Sequence, residues 1–144
     1  MTELFLKYKK KIISLVGKKA LDDSQLNTLG KQLIGKRFIG VFAQDELPNR
    51  VGYMIVNVDT SKHINTPKAH WVAIYQTSKT LYVYDLFGRL TKNVLTLISK
   101  TTTKKIVDSR HDPEQYGYTE ICGHLAISWL CVARDLGIRK ALTI

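Results

Sequence analysis

Phe5, Tyr8, Ile12 and Leu15 recur at the spacing of one helix face, with lysines in the positions between them, so the chain opens on a predicted amphipathic helix. A second helix is predicted to begin at Asp22, because Asp22 and Gln25 stand in the spacing of a capping box, where each side chain bonds the other residue's backbone N–H. Its apolar face is Leu26, Leu29 and Leu33, and Gly35 is the predicted stop. Beyond it the period changes. Residues 38–42, 52–58, 70–76 and 81–86 are short runs rich in aromatic and β-branched side chains, separated by turn formers, and read as strands. The last two are joined by Thr77, Ser78, Lys79 and Thr80 as a hairpin. A short strand over 104–108 precedes an irregular loop over 109–120. The final element, from Cys122 to about Leu136, is apolar on nearly every side: Leu125, Ala126, Ile127, Trp129, Leu130, Val132 and Ala133. A helix without a polar face belongs in the core. The predicted fold class is therefore α+β, a mixed or antiparallel sheet packed on a central buried helix.

Length and composition narrow the class without naming a function. The 144 residues suit one domain with a single sizeable core, and no repeat, low-complexity tract or linker divides them. No apolar run approaches the length needed to span a bilayer, and lysines interrupt the first nineteen residues where a signal peptide would need an apolar core. Two cysteines, Cys122 and Cys131, offer no disulfide framework and suit a reducing, cytosol-like compartment. The net charge of +10 is unusual, and Lys7, Lys9, Lys10, Lys11, Lys18 and Lys19 against Glu3 concentrate it at the N-terminus. Such a bias favours polyanionic partners, nucleic acid first and anionic membrane second; a merely solubilising surface would carry the same charge.

The candidate chemistry lies with one cysteine. Cys122 stands at the predicted start of the buried helix, where unpaired N–H groups and the positive dipole end favour a thiolate, and Gly123 beside it leaves room for close approach. At about 100° per residue Cys131 falls on the opposite helix face, in the position of a small buried hydrophobe. A cysteine nucleophile needs a base, and the base an orienting acceptor. His70 begins one strand of the hairpin, and antiparallel pairing brings Asp85, near the end of the other, beside it. Asp85 is also placed as an ordinary turn-opening residue. His63 and His111 lie in polar loops and His124 faces away from Cys122, so these three read as structural or solvent-facing. No spacing of Cys122, His124 and His111 matches a zinc motif. Gln115, in the loop before Cys122, could aim its amide at a developing oxyanion, but its spacing alone favours a solvated loop glutamine.

Taken together, His70-Trp71-Val72-Ala73-Ile74-Tyr75, Tyr82-Val83-Tyr84-Asp85-Leu86-Phe87-Gly88-Arg89, the strand from Ile55 to Asp59, and Gln115 through Cys122-Gly123 resemble the adenovirus-type (adenain-like) cysteine protease family, distant relatives of the proteases of ubiquitin-like proteins. The order His, acid, Gln, Cys is the family's and the reverse of papain's. The resemblance covers roughly residues 24–136, with residues 1–19 as a basic helical extension of a single domain over 1–144. It implies a cysteine endopeptidase with His70, Asp85 and Cys122 as the triad and Gln115 as oxyanion donor, and it favours that role for Gln115 over the solvated one.

Small size and basic charge look most like the maturation proteases of virophages and Polinton-type elements. By that resemblance the substrates are capsid or scaffold precursors, the setting is the virion and the infected host cell, and the enzyme acts as a monomer without a membrane. No cofactor is needed for chemistry, while a nucleic acid or peptide activator and non-specific DNA binding are implied. Deconjugation of ubiquitin-like proteins, and a non-catalytic nucleic-acid-binding virion protein, are the alternatives. Three departures stand out: the acid is Asp85 where the adenovirus enzyme has Glu, His124 makes the first helical turn polar, and less chain follows Cys122 than in the family's longer members. A disulfide-linked peptide activator is disfavoured by a buried Cys131.

Overall fold

The computed structural model describes residues 3–57, 70–85, 102–109 and 121–144. Helix α1 spans Glu3–Val16 and α2 spans Asp23–Leu33; strands follow at β1 Phe38–Ala43, β2 Gly52–Asn57, β3 Trp71–Gln76, β4 Thr80–Tyr84 and β5 Lys105–Asp108. Helix α3, Cys122–Leu136, and a short α4, Ile138–Ala141, close the chain. The α2 start is the expected capping box: Asp22 Oδ1 accepts from the Gln25 N–H at 2.8 Å, and Gln25 Oε1 accepts from the Asp22 N–H at 3.0 Å. Gly35, at φ +92°, ends the helix in a conformation that residues with a Cβ rarely adopt.

The five strands form one sheet in the order β1-β2-β3-β4-β5. The β2–β3 and β3–β4 pairs are antiparallel, and β1–β2 and β4–β5 are parallel. Both sheet faces are buried, which is why the strands read as near-continuous apolar runs. One face presents Tyr53, Ile55, Trp71, Ala73 and Tyr84 to the cluster built around α3. The other carries Met54, Val56, Val72, Ile74, Leu81 and Val83, with Ile39, Phe42, Leu47 and Ile106 against them. Helix α3 is buried at every position from Cys122 to Ala133, as an all-round apolar helix should be.

The N-terminal helix is not an appendage. Phe5 and Ile12 of α1 are fully buried, and Phe5 meets the Tyr84 ring edge-on with centroids 6.1 Å apart. At the other end of the contact, Tyr8 bonds Asp135 and Arg134 Nη2 donates to the Tyr8 hydroxyl at 3.0 Å. Leu15, expected on the apolar stripe, is instead 51% exposed, and Val16 packs inward. Fully burying side chains of this kind contributes roughly 1.5–3 kcal/mol each, a sizeable share of the roughly 5–15 kcal/mol that holds an ordinary domain together. The segment read as an extension is thus part of the core, while its outward lysines Lys7, Lys10 and Lys11 are exposed.

Candidate active site

His70 immediately precedes β3 and Asp85 immediately follows β4. The β3–β4 register pairs Ala73 with Tyr84; carried one step further it sets Asp85 against Val72, diagonal to His70. Strict alternation would align both with Val72 and Val83, on the face away from α3. Because both lie just beyond the paired residues, they are not bound by it. The His70 Nε2 and Asp85 Oδ1 atoms are 2.8 Å apart, with the carboxyl fully buried and the imidazole 16% exposed. A buried carboxylate is expensive to leave unpaired, and a ring N–H donated to it makes a charge-assisted bond.

The same ring is hydrogen-bonded to Cys122. With Nε2 turned to Asp85, the second ring nitrogen is the one left for the thiol. Cys122 is the first residue of α3 and 6% exposed. Burial by itself would strip the His70 imidazolium of its proton. The hydrogen bonds to Asp85 and Cys122 and the charges of both outweigh burial and raise the ring from 6.5 to about 9. At neutral pH the ring is therefore held protonated between two groups that can carry negative charge.

Cys131 has the opposite environment. It is fully buried, and burial raises its thiol to about 12, with Arg134 and Lys11 opposing and Asp135 adding to the rise. It stays a neutral thiol, as its place on the far helix face predicts.

Gly123 has a packing reason that its neighbour's chemistry did not suggest. A Cβ built there would lie 2.9 Å from Leu26 Cδ2 and 3.4 Å from Trp71 Cδ1, so the bare backbone lets α2 and the start of β3 close on the first turn of α3. Trp71 also donates its indole N–H to the Leu21 carbonyl at 3.0 Å. Asn57, fully buried, stands opposite Trp71 in the β2–β3 register. Neither Leu26 nor the Leu21 carbonyl has a signature in sequence, since their contribution is proximity alone. His124 is fully buried, and its Nε2 bonds the Gly17 carbonyl at 2.8 Å. Burial lowers its pKa, only partly offset by that bond, and keeps the ring neutral.

His70, Asp85 and Cys122 are thus brought together. Gln115, His63 and His111 lie outside the described residues, as does most of the loop before Cys122. Among the described residues no helix is long and apolar enough to cross a membrane. No protein-family model matches the chain, and no curated protein matches it in sequence.

Proposed function

We propose that the chain is a cysteine endopeptidase of adenain-like fold, with Cys122 as nucleophile, His70 as its base and acid, Asp85 as the orienting acceptor and Gln115 as oxyanion donor. The observation that carries this is one imidazole bonded both to a buried carboxylate and to the thiol that opens α3. A core without chemistry to perform has no reason to bury that polar trio where apolar side chains would pack at least as well.

The reaction is acyl transfer. With the sulfur's proton already resting on the charged His70 ring, the Cys122 sulfur attacks the peptide carbonyl carbon. The Gln115 amide and the Cys122 backbone N–H receive the oxyanion. Collapse breaks the C–N bond as His70 gives its proton to the departing amine. Water then attacks the thioester carbon as His70 takes one of its protons; the new C–O bond forms, the C–S bond breaks, and release of the acid restores the starting sulfur and charged ring. The substrates, by the resemblance of the motifs, are capsid or scaffold precursors cut during virion maturation, with the enzyme working as a monomer in the virion and infected cell.

A peptide bearing a thiol-reactive electrophile tests the assignment directly. Mass spectrometry should find the adduct on Cys122, and an adduct on Cys131 alone would overturn it. For the loop residue, removing one oxyanion donor costs about 10²–10³-fold in turnover. Gln115→Ala is expected to lower kcat by that factor with KM nearly unchanged; wild-type turnover in this variant would take Gln115 out of the site.

The charge supports a second partner. Lys7, Lys10, Lys11, Lys18 and Lys19 are all exposed, and the whole chain carries +10. Non-specific binding of duplex DNA through these lysines would release counterions, so affinity should fall steeply with salt. Neutralising about five phosphates gives a log–log slope near −4 to −5. Truncating residues 1–19 would uncover the core, so the charge is better removed in place. Lys7, Lys10 and Lys11 changed together to glutamine should flatten the slope by about 2–3. Fluorescence anisotropy of a labelled duplex across a salt series measures it, and an unchanged slope would clear α1 of the role.

A further inference from the structure

Two backbone carbonyls in the short segment between α1 and α2 are taken by ring N–H groups from the two elements that carry the candidate pair. His124, in the first turn of α3 behind Cys122, meets the Gly17 carbonyl through Nε2 at 2.8 Å. Trp71, the residue after His70, donates to the Leu21 carbonyl at 3.0 Å. Both acceptors are fixed from either side. Gly17, at φ +81°, closes α1 with its own N–H on the Ile13 carbonyl at 2.7 Å, and Leu21 runs straight into the Asp22 capping box of α2.

His70 comes from the sheet and Cys122 from α3, so whether ring and thiol meet depends on how the start of β3 sits against the first turn of α3. We propose that the segment from Gly17 to Leu21 acts as a gauge for that separation, and that His124 is a positioning residue for Cys122. The inference rests on reading Cys122 as the nucleophile. Stability alone does not account for His124. Its Nδ1 is buried without a hydrogen-bond partner among the described residues. The net gain from one hydrogen bond is smaller than the cost of leaving a buried acceptor unpaired. An apolar side chain would serve the core better. What the imidazole supplies and an apolar group cannot is a directional tether from the nucleophile's helix to a fixed carbonyl. The matching tether from Trp71 lies one residue from the base, and the two share one stretch of backbone.

The test compares His124→Met, which keeps the volume and removes the donor, with His124→Gln, whose amide N–H reaches about where Nε2 lies. Alkylation of Cys122 by iodoacetamide, followed across pH by mass spectrometry, reports the thiolate–imidazolium pair without any peptide substrate. Wild type is expected to show a reactive plateau at pH below about 9, where the His70 ring is charged and can hold the sulfur's proton. A misplacement of about 1 Å can cost on the order of 100-fold in rate. His124→Met should therefore lose the plateau and about tenfold to a hundredfold in kcat with KM little changed, and His124→Gln should recover most of both. A folded His124→Met that keeps plateau and kcat overturns the proposal. If His124→Met fails to fold, Trp71→Phe, which removes the indole N–H at the other end of the gauge, decides it by the same two readouts: loss supports the proposal, retention overturns it. A wild-type protein without the plateau would instead overturn the nucleophile reading, and this inference with it.

Discussion

Cys122→Ala is expected to abolish peptide cleavage, whereas Cys131→Ala should keep most of it and lose stability. The two thiols share a helix and little else. Cys122 opens α3 against the His70 ring; Cys131 is fully buried toward α1, with its thiol pushed up to about 12. Only the first lies against a ring that can hold its proton and give it up, whereas a thiol held near 12 is a neutral hydrophobe at any working pH. Trimming the buried sulfur from Cys131 should cost about 1 kcal/mol, a Tm loss of a few degrees for a chain of this size. Cleavage assays and thermal melts on both variants check this. Turnover persisting in Cys122→Ala, or vanishing in a folded Cys131→Ala, would place the nucleophile elsewhere.

What could be read from the sequence was whatever is local. The Asp22–Gln25 capping box, the Gly35 stop, the hairpin turn at Thr77–Thr80 and the span of α3 all depend on residues within a few positions of one another, and each appears where the pattern puts it. The adjacency of His70 and Asp85 was legible for a related reason: a tight hairpin fixes register, and register fixes neighbours. Strand direction outside the hairpin was not. The parallel pairing of β1 with β2 uses a connection only eight residues long, from Gln44 to Val51, and nothing in alternation or composition marks a strand as parallel. The standing of α1 was hidden by its lysines. Their long stems and charged heads dominate the pattern, but two well-placed apolar residues, Phe5 and Ile12, suffice to anchor the helix. Tertiary proximity left the least trace. That Leu26 and Trp71 close on Gly123, or that His124 reaches Gly17, follows from how α2, β3 and α3 converge, which no short stretch encodes.

His70→Ala should lower kcat by about 10⁴-fold, the upper end of what general acid–base catalysis contributes, because the same ring serves both acylation and deacylation. Asp85→Asn should fall between this and wild type, and its pH profile identifies the cause. The His70 ring is raised to about 9 against the pull of burial by its bonds to Asp85 and Cys122. Wild-type kcat/KM should therefore decline as pH rises through about 9, where the imidazolium that protonates the leaving amine is lost. The asparagine variant removes one negative partner and leaves burial in place, so that alkaline limb should move toward neutral pH. Stability follows the same sign. A ring raised from 6.5 to about 9 in the folded protein contributes stability that is complete below 6.5 and lost as pH climbs through about 9. Tm measured over pH 6–10 should fall along that window in wild type and less so in Asp85→Asn. Rate profiles and melts on the two proteins are independent measurements of one proton. If the alkaline limb stays near 9 in Asp85→Asn, the carboxylate is not what holds the ring charged, and Asp85 would revert to the turn residue its sequence position also allows.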